Sequence, residues 1–599
     1  MIESVPPFAY VLAAAFLVAV LPARVGHLLG GLATAAVGVQ ALLLENGTYL
    51  DAGFLGFDVV FLNVDDPARL VAVAVATLAT AAVLYAAATD VDRVRTAFAL
   101  SYVASTVGVV FAGDWLTLIF FWELMAVTST LLVWHYGGEA VRAGFRYALF
   151  HATGGTILLA AVVVHYASVR SFHYADNFGI AEAAVPLAAV GIGINCGFIF
   201  LHSWLPDTYP RPHVASSVFL SVFTTKTAAY VMYRAFPGEQ LWLAYIGGAM
   251  AVYGVFYALL QYDPRRLLTY HIQAQVGYML VGIGLGTELS TAGGLAHMFN
   301  NVLFKALLFM AVGVVIYRTG EEHIKNLGGL WNVMPLTFLA YLIGAASITA
   351  VPGTNGFISK GMVLDEAHHV HNYEFGLSGT AAYGDVLWWA LIVGAVGTFM
   401  SFVKLGYYIF FHGENTVEPA DATPGQTVAM LAVGGFCLLY GLVPDLLFEL
   451  LPLSAEAISE LHPYSTGHLV ESAVLLVVGF AAFFALKGPI GRLASMPDVD
   501  RVLFPAAFYS GCGLVWGITE LWAAVDRVVM ATAGASMRVG SDPGGYAYRA
   551  AERVPGVAVE GLPREADRRS LRLRASVGTS VFIAIAVLFG ALAVLLAYL

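Results

Sequence analysis

Cysteine is nearly absent from this sequence, and charged residues are scarce. The 599 residues include three cysteines, far apart and without a CxxC pair. We therefore expect no disulfide framework, metal site or iron–sulfur cluster held by this chain alone. Charged residues make up 12% of the chain and apolar residues 59%, whereas soluble domains carry roughly 25% charged residues. This composition excludes both a soluble globular protein and a disordered one.

Apolar stretches long enough to cross a bilayer recur along the whole chain. They predict an all-α polytopic membrane protein with short loops rich in Gly, Pro and Asp. The predicted spans are 8–22, 26–44, 67–88, 96–112, 114–135, 145–167, 183–204, 213–236, 240–261, 268–286, 292–317, 334–366, 386–411, 426–448, 468–487 and 576–598.

The loop charges predict the orientation. Over the first twelve spans, an N-terminus outside places ten basic residues inside and three outside. Because basic loops stay in the cytoplasm, we expect a multi-pass protein of the cytoplasmic membrane with its N-terminus outside. The inside residues are Arg24, Arg93, Arg95, Arg142, Arg146, Arg211, Arg265, Arg266, Arg318 and Lys325, and the outside residues are Arg69, Arg170 and Arg234.

One apolar segment, residues 506–533, carries three charged residues and precedes a tail with eight arginines. If the segment crossed the membrane, those arginines would lie outside. We therefore expect a lateral amphipathic helix and a basic tail over residues 488–575, followed by a terminal transmembrane helix at 576–599. A spanning helix is the alternative.

Lysine is rare, yet it occurs where charge is most costly. Of 29 basic residues only six are lysines, and four of these fall inside predicted spans: Lys226, Lys305, Lys360 and Lys404. Arginine stays charged at any relevant pH, whereas a desolvated lysine can release its proton. Ionisable groups within a membrane are candidates for function, so these amines suggest a proton relay. Lys404, near a span end, could instead snorkel to the interface.

Other polar residues extend the candidate relay. Glu123 is the only carboxylate in the interior of the first seven spans, away from their ends, and it could hold a proton or pair structurally with an amine. His297 precedes Lys305 by eight residues, which places both on one helix face about 12 Å apart, with Asn301 midway between them. His271 is a further polar point. We expect His151 and His165, by contrast, to be packed or interfacial.

Two predicted spans contain helix-breaking residues. Residues 352–360, PGTNGFISK, combine Pro and Gly next to Lys360, and residues 191–197, GIGINCG, contain three glycines. Broken helices within a membrane expose carbonyl groups and helix ends that bind ions or water. One break in each half of the chain is typical of an inverted-repeat transporter.

Several strings, in the same order over about residues 100–410, resemble a known family. They are FFWE with Glu123, TTKTAAY with Lys226, HMFNNVLFK with Lys305 and GFISK with Lys360. The family comprises the antiporter-like proton-translocating subunits of respiratory complex I and of Mrp-type cation/proton antiporters. The resemblance implies a core of about fourteen helices in two inverted repeats, each with a broken helix.

The resemblance also implies a domain organisation. The predicted segments are N-terminal helices 1–3 at 1–95, a first repeat at 96–236, a second repeat at 240–411, C-terminal spans at 426–487, and the lateral and terminal segments given above.

The same resemblance implies roles for individual residues. Glu123 would gate the admission of protons, and Lys226 would be the central lysine of the first half. His297 and Lys305 would link the two half-channels, and Lys360 would be the broken-helix lysine of the second half.

The sequence departs from the family at two positions. Asn195 stands where a lysine usually pairs with the glutamate, and Asn301 replaces a frequent histidine. Asparagine cannot titrate. The first half-channel is therefore expected to be altered or silent, unless Lys226 takes over the pairing with Glu123.

The expected function is a proton-translocating subunit of a multisubunit Mrp-type Na⁺/H⁺ antiporter. WLPDTYPRP resembles D-type subunits, whereas the C-terminal segments resemble A-type and L-type subunits. One alternative is a membrane-arm subunit of a complex I-like oxidoreductase, and only in that assembly would the chain be part of a translocase enzyme. Another is a membrane partner of an inorganic-carbon uptake system. The expected partners are other membrane subunits, protons, Na⁺ and lipid, with no nucleic acid and no cofactor.

Overall fold

The computed structural model describes residues 5–54, 56–174, 179–369, 383–413, 419–493, 496–556 and 558. The chain divides into two units, Met1–Asp498 and Val499–Leu599. The predicted terminal transmembrane helix, residues 576–599, lies outside the described residues.

The first unit begins with six helices and one hairpin. The helices are α1 (Pro7–Val20), α2 (Ala23–Leu43), α3 (Asp66–Ala87), α4 (Arg93–Val110), α5 (Trp115–Trp134) and α6 (Glu139–Val169). Aspartate side chains begin three of them, because Asp65, Asp92 and Asp114 each accept a hydrogen bond from the backbone N–H three residues later. Such caps satisfy helix N–H groups that have no partner within the helix.

The hairpin between α2 and α3 is a difference from the sequence prediction, which placed only a loop there. Strands β1 (Gly47–Phe54) and β2 (Phe57–Val64) pair antiparallel. The N–H of Val60 donates to Asp114 Oδ2 at 2.7 Å, so the hairpin is tied to the start of α5. Strand pairing satisfies the backbone of this connection, which lies between helices rather than within one.

The middle of the chain contains the broken helices. The elements are α7 (Val185–Cys196), α8 (Trp204–Thr208), α9 (Val214–Leu220), α10 (Phe223–Ala235), α11 (Leu241–Leu260), α12 (Pro264–Leu285), α13 (Glu288–Thr319), α14 (Pro335–Ile348), α15 (Asn355–His369) and α16 (Tyr383–Gly406). Helix α13 lies at the centre, with its spanning stretch fully buried.

Both predicted breaks are present, and a third was missed. Gly197, in the left-handed conformation at φ +74°, ends α7 before α8 begins at Trp204. Residues 349–354 separate α14 from α15. The third break, at residues 221–222 between α9 and α10, contains neither glycine nor proline, so no helix-breaking residue indicates it.

The C-terminal part of the first unit adds α17 (Pro424–Leu442), α18 (Asp445–Phe448), α19 (Ala455–Glu460) and α20 (Thr466–Leu493). Eleven helices among the described residues of the whole chain are long and apolar enough to cross a membrane. Three more apolar helices, α1, α7 and α14, are shorter. This architecture confirms the prediction of an all-α polytopic membrane fold, apart from the hairpin.

The second unit contains α21 (Asp500–Ser541) and α22 (Pro543–Glu552). It starts later than the predicted lateral segment at residue 488, because α20 continues to Leu493. Helix α21 has 42 residues, none of them buried, and this length is about twice what a bilayer crossing needs. That excess favours the predicted lateral helix over a simple span, and the orientation stays a prediction.

Glycines let α11 and α12 approach backbone to backbone. A Cβ added at Gly254 would lie 2.7 Å from both the Ala274 nitrogen and the Tyr270 oxygen. A Cβ at Gly247 would lie 2.5 Å from the Gly277 oxygen. Because backbone atoms cannot move aside as flexible side chains do, this interface has no room for larger residues.

We expect Gly254→Val to destabilise the protein by about 1–3 kcal/mol, as overpacking does. The measurement is the thermal unfolding midpoint of the purified protein in detergent. Gly435→Val on α17 is the matched control, because an added Cβ there meets nothing within 4 Å. Equal losses in the two variants would contradict the close packing of α11 against α12.

Candidate functional site

The predicted relay residues all lie in the first unit. Glu123 is on α5, Asn195 on α7, Lys226 on α10, His271 on α12, His297, Asn301 and Lys305 on α13, Lys360 on α15 and Lys404 on α16. All of these side chains are buried except that of Glu123, which is half-buried. The assignment of a proton-relay role to these residues remains a prediction.

Lys226 and Lys360 each cap the end of a helix fragment at a break. The Lys226 ammonium donates to the Ser221 carbonyl at 2.8 Å, directly after α9 ends. The Lys360 ammonium donates to the carbonyl of Ile348, the last residue of α14, at 2.7 Å. The final carbonyls of a helix lack partners within the helix and form the negative end of its dipole. Each amine therefore occupies a site made favourable by a broken helix.

Lys404 has the same kind of site at the end of α11. Its ammonium donates to the Leu259 and Gln261 carbonyls at 2.7 and 2.6 Å, and it lies 4.2 Å from the centre of the Tyr262 ring. Only 2% of the residue is exposed. The amine is thus enclosed by protein at a helix end, and whether this end lies at the membrane interface stays a prediction.

Lys305 lies at the centre of α13 and differs from the other three lysines. Its ammonium donates to the Leu268 carbonyl at 3.0 Å, within α12 rather than at a helix end. The ring of Phe402 lies 6.0 Å from the amine and 4.9 Å from the ring of His271. Neither nitrogen of His271 has a hydrogen-bond partner among the described residues.

His297 is held by side chains from two neighbouring helices. Its Nδ1 lies 3.1 Å from Ser359 Oγ on α15, and its Nε2 lies 3.2 Å from Gln275 Oε1 on α12. Asn301 is fully buried, yet its amide forms no hydrogen bond within the described part of the chain. Asn301, although midway between His297 and Lys305 on α13, therefore does not bridge them through direct hydrogen bonds.

Three of the four buried lysines share one electrostatic environment. Lys305 is within electrostatic range of Lys226 and Lys360, and His297 is within range of all three. No carboxylate forms an ion pair with these lysines within the described residues. In a low-dielectric core, a proton on one amine therefore opposes protonation of the next.

Glu123 sits apart from the lysines, at the outer edge of the bundle. Its carboxylate contacts Gly155 of α6, and any side chain at that position would collide with it. The neighbouring positions Phe120 and Val127 are exposed on the same face of α5. Glu123 has no hydrogen bond or ion pair with any described residue, so the expected pairing with Lys226 is not present.

Asn195 lies in the last turn of α7, beside the break. It is fully buried, and its amide faces the imidazole of His151 without a well-formed hydrogen bond. A Cβ at Gly154 would lie 3.2 Å from the Gly191 oxygen, so this glycine allows α7 to approach α6 closely. Glu123 contacts the next residue, Gly155, so α7 and the carboxylate approach adjacent glycines of α6.

A buried carboxylate near the first break was missed from the sequence. Asp498 accepts hydrogen bonds from the hydroxyls of Tyr253 and Tyr270, and its Oδ2 lies 3.4 Å from His202 Nε2. His202 is fully buried in the loop between α7 and α8. This network fastens the end of the first unit to the broken helix.

The hydrogen bonds to Asp498 decide its charge. Burial alone would raise the pKa of the carboxyl, but His202, Tyr253 and Tyr270 outweigh burial and lower the pKa to about 2. Asp498 is therefore a carboxylate at any physiological pH. The string MPDVD after an apolar span is typical of an ordinary exposed loop and does not indicate the buried network.

A second group of carboxylates and histidines, also missed, lines a cavity of about 230 Å³ where α13 begins. Its walls include Asp365, Glu366 and His468, and His468 Nε2 lies 3.6 Å from Asp365 Oδ1. Glu471, one turn along α20, is close to Tyr278, over whose ring the Lys360 amine lies at 4.8 Å. A carboxylate inside the predicted span 468–487 could have indicated this group.

The described residues contain no group of three or more His, Cys, Asp or Glu side chains that could hold a metal ion. The free cysteines Cys196 and Cys437 are buried and far apart in sequence. The expectation that the chain needs no metal or cofactor stays a prediction.

The broken helices, the central buried α13 and the row of amines define a polytopic membrane protein of the antiporter-like class. Residues 112–383 match the family described as "NADH:quinone oxidoreductase/Mrp antiporter, TM". This match over the central part of the chain confirms the resemblance carried by FFWE, TTKTAAY and HMFNNVLFK.

Individual relatives agree with this assignment. The chain is 27% identical to the A-type subunit of the Na⁺/H⁺ antiporter of Bacillus subtilis, over 66% of this chain and 54% of the relative. It is 31% identical to "NADH-ubiquinone oxidoreductase chain 5" of Cryptococcus neoformans, over 51% of this chain and 47% of the relative. The chain thus spans about half the length of these curated relatives.

The fold is shared with a solved complex. A chain in the structure of the Mrp complex from Dietzia sp. DQ12-45-1b superposes with a TM-score of 0.76 at 21% identity, over 89% of this chain and 63% of that one. At this identity the likeness establishes the fold alone.

We expect Asp498→Ala to lower the free energy of unfolding by about 3–5 kcal/mol, because it leaves His202 and two buried tyrosine hydroxyls without their acceptor. Thermal unfolding of the purified protein measures the loss. Glu520→Ala is the control, since Glu520 pairs with Arg527 at 3.7 Å on the exposed face of α21 and such pairs contribute about 0–1 kcal/mol. A loss as small as that of the control would show that the Asp498 network does not hold the break.

Proposed function

We propose that this chain is a proton-translocating subunit of a multisubunit Mrp-type Na⁺/H⁺ antiporter in a prokaryotic cytoplasmic membrane, with its N-terminus outside. The observation that carries the proposal is the row of buried lysines, each bound to main-chain carbonyls. The relatives of this chain include A-type and D-type subunits of Na⁺/H⁺ antiporters.

The lysine sites suit transient protonation. A helix end stabilises the ammonium form of Lys226 or Lys360, whereas burial favours the neutral amine. These opposed effects keep the two forms close in free energy, which a relay requires. Arginine would bind the same carbonyls but would never release its proton.

Repulsion between amines couples their protonation states. When Lys226 gains a proton, the charge at Lys305 becomes less favourable, and the effect passes on to Lys360. His297 lies within range of all three and can hold a proton between steps. We propose that Lys226, His297, Lys305 and Lys360 carry protons along the membrane plane, with His271 and Asn301 as supporting polar groups.

A second function is supported by one relative. The match to a chain named as part of NADH-ubiquinone oxidoreductase favours a membrane-arm subunit whose proton movement is driven by redox chemistry elsewhere in a complex. The same lysine row would serve both functions. The genes next to this one would discriminate: small Mrp-type membrane subunits for the first, flavin and cluster subunits for the second.

We expect Lys305→Met to abolish Na⁺-dependent proton flux while the complex still assembles, because the central amine of the row is lost. The flux is measured in everted vesicles from an antiporter-deficient host that expresses the whole gene cluster, without NADH or ferredoxin. Lys487→Met is the matched control, because Lys487 lies exposed on the apolar helix α20. Its flux should equal that of the wild type.

Two results would contradict this proposal. Normal flux in Lys305→Met would remove Lys305 from the relay. Absence of Na⁺-dependent flux in the wild type, with proton pumping once a redox substrate is supplied, would assign the chain to a respiratory complex instead.

A further inference from the structure

The side chain of His151, on α6, is buried within the protein and has no well-formed hydrogen bond. The residue is 1% exposed, and neither ring nitrogen forms a hydrogen bond with a described residue. His165 on the same helix is different, because its Nδ1 accepts the Ala181 N–H at 2.9 Å. Buried polar groups are nearly always well paired, whereas the imidazole of His151 has only the imperfect contact with the Asn195 amide.

The surroundings of His151 place it between two groups of the candidate relay. Gly155, which the Glu123 carboxylate contacts, follows His151 by one helical turn on the same face of α6. The amide of Asn195, also unpartnered, faces the imidazole from α7. His151 is therefore the titratable side chain of α6 that lies next to the carboxylate edge of the bundle.

A chain of hydroxyl groups leads from His151 towards Lys226. The ring of Tyr147 lies 4.0 Å from the His151 ring, between centroids. The Tyr147 hydroxyl donates to Ser129 Oγ at 2.9 Å and lies 3.3 Å from Thr224 Oγ1. Thr224 adjoins Thr225 on α10, and the Lys226 ammonium donates to Thr225 Oγ1 at 3.2 Å.

We propose that His151 is a proton-carrying residue of the first half of the protein, transferring protons between Glu123 and Lys226 where Asn195 cannot. This inference rests on the proposed function. It identifies the group that makes the first half-channel competent without a lysine at position 195.

The transfer balances as a series of proton hops. The protonated Glu123 carboxyl gives its proton to one ring nitrogen of His151, leaving a carboxylate and an imidazolium. The imidazolium returns to neutral by passing a proton to the hydroxyls of Tyr147 and Thr224. Each hydroxyl accepts one proton as it releases its own, and the Lys226 amine becomes an ammonium. Water fills the gaps that direct hydrogen bonds do not span.

The test uses the whole complex in everted vesicles. We expect His151→Gln, which keeps polarity but cannot titrate, to lower Na⁺-dependent proton flux at least tenfold. His165→Gln, on the same helix, should keep at least half of the wild-type flux. In the double variant with Asn195→Lys, the introduced amine should restore a substantial part of the lost flux. Wild-type flux in His151→Gln would overturn the inference.

A second measurement is independent of flux. Exchange of the imidazole C2 hydrogen for deuterium, followed by mass spectrometry of the wild-type complex, reports whether a histidine reaches water and titrates. We expect the C2 hydrogen of His151 to exchange in the wild-type complex, and an imidazole sealed from water would overturn the inference. If Lys305→Met loses flux but His151→Gln does not, the inference fails and the proposed function stands.

Discussion

The backbone carbonyls freed at helix ends are the constraint on which this site depends. Inside a membrane each polar backbone group must find a partner within the protein. The breaks after α9 and α14 leave carbonyls at Ser221 and Ile348, and lysine amines supply the donors. The broken helices and the buried lysines are thus two parts of one arrangement, because neither is stable in a membrane without the other.

This arrangement lets charge change while the contacts persist. A neutral amine keeps two N–H groups and can still donate to the carbonyl that the ammonium binds. Loss of a proton at Lys226 or Lys360 therefore removes a charge without leaving the helix end unsatisfied. The cost that usually accompanies breaking a buried polar contact is avoided, and the fold need not move with every proton.

The membrane spans and the buried lysines could be predicted from the sequence, for physical reasons. Apolar runs mark spans because the bilayer fixes their length, and four lysines inside such runs stand out because charge there is costly. The break after α9 was missed because residues 221–222 contain no glycine or proline. Asp498 and His202 were missed because 296 residues separate them, and no local pattern encodes such a pairing. The sequence favours a packed or interfacial position for His151, since a sequence cannot show whether a buried ring is well paired.

The charges are arranged by depth. The row of buried lysines has no carboxylate counterion within the described residues, whereas the carboxylates of Glu123 and Asp365 lie at partly exposed edges and Asp498 is paired with His202. An acid beside an interior amine would trap a proton in an ion pair, because a buried pair is costly to separate. With carboxylates only at the margins, a proton can be collected at an edge and then meets groups that repel one another. The distribution of carboxylates and amines within the helix bundle, rather than any single residue, therefore determines where a proton binds.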